Sequence, residues 1–210
     1  MFIPQSFKEN DFAKIKLFIK EHPQATLIAQ TSCGLEACHI PMYWQDDGSK
    51  FGSLYGHMAK INPLNNNDNT TTPWLVIFQD SGHYISPNWY PSKAVTHKEV
   101  PTWNYRSVHI RGDVSLLTAH HELIDILSKQ TFEFEARQEN PWSLEDAPES
   151  YIQAMCGAIV GIRINITDVQ AQFKLSQNKT DDNRLGAIAG LKQLKTAKAD
   201  EMARLIEDAK

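Results

Sequence analysis

Cysteine is scarce in this 210-residue sequence, and its three copies, Cys33, Cys38 and Cys156, cannot all pair within one chain. That count excludes a disulfide framework and fits a reducing compartment. Cys33 and Cys38 lie near His39, but four ligands at a recognisable spacing are missing. Buried free thiols are therefore expected, and no metal. No apolar run approaches the ~20 residues of a membrane span, so no membrane partner is expected. The opening Met1-Phe2-Ile3-Pro4-Gln5-Ser6-Phe7-Lys8 lacks the charged-then-apolar pattern of a signal peptide, which makes a cytoplasmic location the simplest expectation. Positive charge is not in excess either. A formal net charge of −4 offers no overall attraction to nucleic acid. The sequence has no Gly-rich phosphate loop and no Gly-x-Gly-x-x-Gly. Ser86 is followed by Pro87, outside a nucleophile-elbow context. Adjacent His120 and His121 would point about 100° apart on a helix and cannot readily chelate one ion. No catalytic acid–base pair is recognisable.

What remains is an ordinary globular composition, 41% hydrophobic and 22% charged, long enough to bury a substantial core. Asn10 or Asp11 can cap a helix running to Glu21. Strands are expected over 25–28, 35–43 and 51–59, the last two joined by the Asp46-Asp47-Gly48 turn. The polar tract 62–73 reads as a loop without chemistry of its own. Trp74-Leu75-Val76-Ile77-Phe78 reads as a strand buried on both faces. A strand over 107–116 is expected to bulge or bend at Gly112. Thr118 is expected to cap a helix to Lys129, and a short helix to cover 148–156. In 159–166, Ile162, Ile164 and Ile166 alternate with Arg163 and Asn165, and a last short strand covers 173–175. From Asp181 the pattern turns helical, with Leu185, Ile188 and Leu191 in one apolar stripe. Short strands with few helices predict a mainly β fold with peripheral helices, a small antiparallel barrel. Residues 1–178 form its domain and 179–210 a C-terminal helical extension.

Polar and aromatic residues concentrate in three stretches. Five aromatics lie between Tyr84 and Tyr105, interleaved with Ser86, Asn88, Thr102 and Asn104. Such a stretch suits either a barrel core or a planar heteroaromatic ligand, which needs stacking area and a few orienting donors. His57, Lys60 and Asn62 stand where a strand becomes a loop, with Gly56 allowing a ligand to approach the backbone. Lys174, Ser176, Gln177 and Asn178 form a second donor-rich strand end.

Taken together, "GHMAKINP" (56–63), "YISPNWY" (84–90), "VPTWNY" (100–105), "VHIRG" (108–112) and "KLSQNK" (174–179) resemble, in order and spacing, the PaiB family. That family is described as FMN-binding negative transcriptional regulators with a split-barrel fold. The resemblance runs from "FIPQSF" to the helical C-terminus. Lys60 and Lys179 stand where arginine is commoner, Phe2 where tyrosine is, and Asn88 where a smaller residue is usual. Lysine keeps the charge and loses the planar fork.

The resemblance implies an FMN-binding split β-barrel, homodimeric, with FMN at the subunit interface. By that likeness the strand 54–60, with His57, Met58 and Lys60, meets the phosphate end of the flavin; we assign His57, Lys60 and Ser86 to the phosphate, with Lys174 from the partner and Asn62 as a further donor beside them. Trp89, Tyr90 and Trp103 would wall the ring system. Thr102, Asn104 and Gln177 would bond its polar edge, and the late strand 174–178, with Ser176 and Asn178, matches the one that reaches the flavin from the facing subunit. A repressor role implies DNA as a partner, and Lys192, Lys195, Lys198 and Arg204 are the candidates. The alternative is a flavin-dependent oxidoreductase or a haem-binding or haem-degrading split barrel, since one fold hosts several activities. A regulator that binds flavin is favoured over a dedicated enzyme.

Overall fold

The computed structural model describes residues 1–209, and Lys210, the last residue of the expected extension, lies outside the described residues. In chain order the elements are β1 (Lys8–Glu9), α1 (Phe12–Glu21), β2 (Gln24–Thr31), β3 (Gly34–Pro41), β4 (Tyr43–Gln45) and β5 (Ser53–Ala59). They continue with β6 (Trp74–Gln79), β7 (His83–Ile85), α2 (Pro91–Thr96), β8 (Thr102–Leu117) and α3 (His120–Glu135). The chain closes with α4 (Glu149–Gly157), β9 (Ile159–Lys174), α5 (Asp181–Gln193) and α6 (Ala197–Asp208). The strands form one mainly antiparallel sheet in the order β3-β2-β6-β8-β9-β5-β4, with β1 added on β9 and β7 on β8. This is the expected mainly β class with peripheral helices. Two compact units divide it: residues 12–78 with 109–169, and residues 1–11 with 79–108 and 170–210.

The first unit follows from alternation. Ala25, Leu27 and Ala29 are buried on β2, and Val160, Ile162, Ile164 and Ile166 on β9. A period of two places every second side chain on one face. Trp74, Val76 and Phe78 are fully buried on β6, while Leu75 and Ile77 are half-buried, so this strand is less enclosed than its apolar run predicts. Ile15, Phe18 and Ile19 form the inward stripe of α1, at the three-and-four spacing of one helix face. Gly112 corrects the expected bend. A Cβ there would lie 2.3 Å from the Asn165 carbonyl oxygen, so β8 stays regular and glycine allows β9 to come close. Tract 62–73 is anchored rather than free: it holds a short 3-10 turn (Asn67–Thr70), and the Trp74 indole N–H donates to the Asn69 carbonyl at 2.8 Å. At α3 the N-cap is Ala119 with no side-chain bond, and the helix runs on to Glu135. Cys33 is exposed and Cys38 half-buried, against the expected burial, while Cys156 is buried.

The second unit is held by polar groups as much as by apolar ones. β8 begins at Thr102, earlier than the hydrophobic pattern predicts, because β7 pairs with its first residues, His83 opposite Asn104 and Ile85 opposite Thr102. β9 likewise runs unbroken to Lys174, with Lys8 of β1 opposite Gln172. The inward positions here are Asn104, Arg106 and Gln172, which no hydrophobic alternation reveals. Arg106 meets Asp80 at 2.8 Å with both side chains under 10% exposed. Removing either partner of such a buried pair costs about 3–5 kcal/mol. On α5 the inward residues are Ala187, Ile188 and Leu191, whereas Leu185 is 63% exposed and leaves the expected stripe. Helix α6 buries Met202 and Ile206.

Candidate functional site

The sequence-derived site residues divide between the two units. In the first unit, His57 and Met58 lie on β5, and Lys60 and Asn62 follow in the turn. Gln130 of α3, which sequence reading missed, fixes His57. Its amide nitrogen donates to the Pro41 carbonyl at 2.8 Å, leaving its oxygen to accept from Nδ1 of His57 at 2.9 Å. Nδ1 is then the donor, and in the neutral ring Nε2 keeps a lone pair. Burial lowers the His57 pKa, so the ring is neutral at pH 7. Met58 is buried. Asn62 accepts from the Leu64 N–H at 2.9 Å and shapes the turn. Lys60 is exposed, its backbone N–H bonded to the Ala158 carbonyl at 2.9 Å. Gly56 does not open the backbone to a ligand. A Cβ there would lie 2.5 Å from the Met42 sulfur, so the space is already filled.

In the second unit, the end of β9 brings Lys174 to Thr102 (Nζ to Oγ1, 2.6 Å) and Ser176 to Asn104 (Nδ2 to Oγ, 2.8 Å). Ser176 takes a left-handed backbone, φ 65°, which turns the chain out of the strand. Gln177 folds back on that turn, accepting from the Leu175 N–H at 2.7 Å and donating to the Phe173 carbonyl at 2.6 Å. Asn178 is exposed. The Asn104 side chain is fully buried, and among the described residues its Oδ1 has no partner. Lys174 is half-buried over the Phe7 ring, and no carboxylate pairs with it among the described residues. Burial lowers its pKa, which is what an unpaired ammonium group out of water experiences. Lys179, by contrast, meets Glu99 at 2.6 Å, and that contact holds the Glu99 carboxyl below its ordinary range.

The aromatics take different places. Tyr90 is buried beneath Lys179, whose Nζ lies 4.6 Å from the ring centre. Trp89, at the end of the turn Pro87–Trp89, packs its ring against α5, where a Cβ on Gly190 would sit 2.2 Å from its indole. Trp103 is 54% exposed and Tyr84 43%, in an edge-to-face pair with centroids 6.4 Å apart. Ser86 caps the short turn Pro87–Trp89, its Oγ accepting from the Asn88 N–H at 3.2 Å.

A groove of about 840 Å³ in the first unit was not foreseen. It lies between β4, the last turns of α3 and the segment 141–145, and Tyr43, Phe132 and Trp142 line it. The signal that could have found it is Phe132 and Phe134 recurring beyond the expected helix end at Lys129.

Residues 1–168 match a family model described as "Putative FMN-binding domain". The sequence is 30% identical to the protease synthase and sporulation protein PAI 2 of Bacillus subtilis, over 99% of this chain and 97% of that protein. The chain belongs to the PaiB family of FMN-binding domains. Its fold recurs in conserved hypothetical protein Rv2991 from Mycobacterium tuberculosis, at TM-score 0.58 and 13% identity, covering 86% of this chain and 94% of that one. It recurs again in an FAD and haem binding protein from Mycobacterium smegmatis, at TM-score 0.56 and 13% identity, covering 87% and 80%. The fold of this PaiB-family chain is the split β-barrel that the resemblance implied.

The residues present suit the family's cofactor. A phosphate needs a cation that no carboxylate already neutralises, and among the described residues Lys174 and Lys60 meet that condition whereas Lys179 does not. An isoalloxazine needs a flat apolar face, which Trp103 offers and Trp89 has already given to α5.

Proposed function

We propose that this chain works as a homodimeric FMN-binding regulator in which each flavin draws its phosphate contacts from two copies, Lys60 of one and Lys174 of the other. The single observation that carries this reading is the half-buried, unpaired ammonium of Lys174 bonded to Thr102. Lysine buried without a counter-ion is unfavourable alone, and an incoming phosphate relieves it. Trp103 would stack on the ring system, with Ser176 and Asn104 near the same strand end. His57, neutral at pH 7, would offer a hydrogen bond rather than charge. Bound FMN supplies one- and two-electron redox chemistry, and the chain's residues bind and orient it.

The visible spectrum of the purified protein, before and after adding FMN, tests the reading. A flavin spectrum and saturable titration are expected, and a Soret-like band would favour the haem alternative instead. Each charge-assisted phosphate contact contributes about 1.5–3 kcal/mol, so Lys174→Ala or Lys60→Ala should weaken FMN binding about tenfold or more. Wild-type titration by both variants overturns the assignment of these lysines. DNA binding by the C-terminal helices has weaker support: Lys192 is already paired with Glu207 at 2.7 Å. Lys198 and Arg204 share α6 with Asp200, Glu201, Glu207 and Asp208. A mobility shift that weakens steeply with salt would restore the repressor role.

A further inference from the structure

The groove beside α3 is built for the opposite charge. Its volume, about 840 Å³, falls in the range of small-molecule sites. Phe132 and Trp142, 73% and 44% exposed, line it. The charged residues lining it are Lys129, Glu133, Glu135 and Glu145. Lys129 is satisfied by Asp125 at 2.7 Å, and Glu133 by Lys20 at 2.6 Å. Glu135 and Glu145 have no cationic partner among the described residues. Glu135 also accepts from the backbone N–H of Trp142 at 3.1 Å, which sets a free carboxylate and an indole on the same lip. At the wall, Tyr43 is 8% exposed, and among the described residues its hydroxyl has no hydrogen-bond partner.

We propose that this groove binds a small organic ammonium ion with an aromatic or alkyl body, its apolar part on Phe132 and Trp142. Its N–H groups would be received by Glu135 and Glu145. Aromatic faces and unpaired carboxylates both attract a cation, and together they repel a phosphate. The groove is therefore a different site from the one proposed for FMN, and its ligand is of the opposite sign.

Titration with 2-phenylethylammonium, followed by tryptophan fluorescence and calorimetry, tests the assignment, with 2-phenylethanol as the uncharged comparison. The ammonium should bind about tenfold more tightly than the alcohol. Trp142→Ala, a change at a half-exposed position, should weaken it about fivefold or more, and Glu135→Gln should weaken the ammonium while leaving the alcohol unchanged. The proposal fails if the two probes bind equally, or if neither saturates below about 10 mM. It fails equally if FMN displaces the ammonium. A Trp142→Ala variant that loses self-association by sedimentation would hand the groove to a second copy of the chain and overturn it too.

Discussion

Lys174 and Lys129 are both partly buried lysines, yet their surroundings differ. Lys129, on α3, donates to Asp125 at 2.7 Å and to Gln45 at 3.2 Å, and its charge is closed off within one helix turn. Lys174, at the end of β9, has a hydroxyl and a ring beside it and, among the described residues, no paired carboxylate. Around Lys129 the unpaired charges are negative; around Lys174 the unpaired charge is positive. A ligand's sign is read more safely from the charges a fold leaves uncompensated than from those it contains. The whole-chain value of −4 describes neither place.

Charge reversal separates the two sites most sharply. Lys174→Glu should weaken FMN binding about a hundredfold while leaving 2-phenylethylammonium unchanged, by parallel titrations; loss of both would mean that the fold, not the site, was hit. A packing change comes next. Gly190→Ala forces a methyl into the Trp89 ring and should cost about 1–3 kcal/mol by denaturant unfolding, without altering binding in the groove. Smaller still is Glu99→Gln, expected to lose about 1 kcal/mol, discounted for partial exposure. Its folded carboxyl is depressed, so the stability it gives is complete above the ordinary carboxylate range and is lost as pH falls through the lowered value. The smallest effect is the pH dependence of flavin affinity. Since burial lowers the Lys174 pKa, FMN affinity should decline as alkaline pH approaches that lowered value, a slope that Lys174→Ala abolishes. On the acid side, protonation of His57, itself delayed by burial, should add a few-fold.

The apolar half of this fold was legible in its sequence. Ile162, Ile164 and Ile166, or Ile15 and Ile19, announce their faces by spacing alone. The polar half was not, because Asn104 and Arg106 occupy inward positions whose partners, Ser176 and Asp80, are set by pairing distant in sequence. That is why β8 is longer than its hydrophobic pattern, and why Gln130 was missed as the residue that orients His57. The donor clusters themselves stood out as short motifs. Which donors are free could not be read there: Gln177 and Ser86 serve the local backbone, and Lys179 serves Glu99. Leu185 obeyed the helical period and still faces outward, since α5 turns its small residues, Gly186 and Gly190, toward Trp89.

The unit that carries Lys174 is assembled from the two ends of the polypeptide and a central stretch, residues 1–11, 79–108 and 170–210. Its ties, Asn104 to Ser176 and Ser92 to Asn183, span 72 and 91 residues. During synthesis, at about 5–20 residues per second, the aromatic segment must wait several seconds for its partners to leave the ribosome. Until then Trp103 and Tyr84 have no second strand end beside them, so a stalled or C-terminally truncated chain should be recognised by chaperones before it can take up flavin.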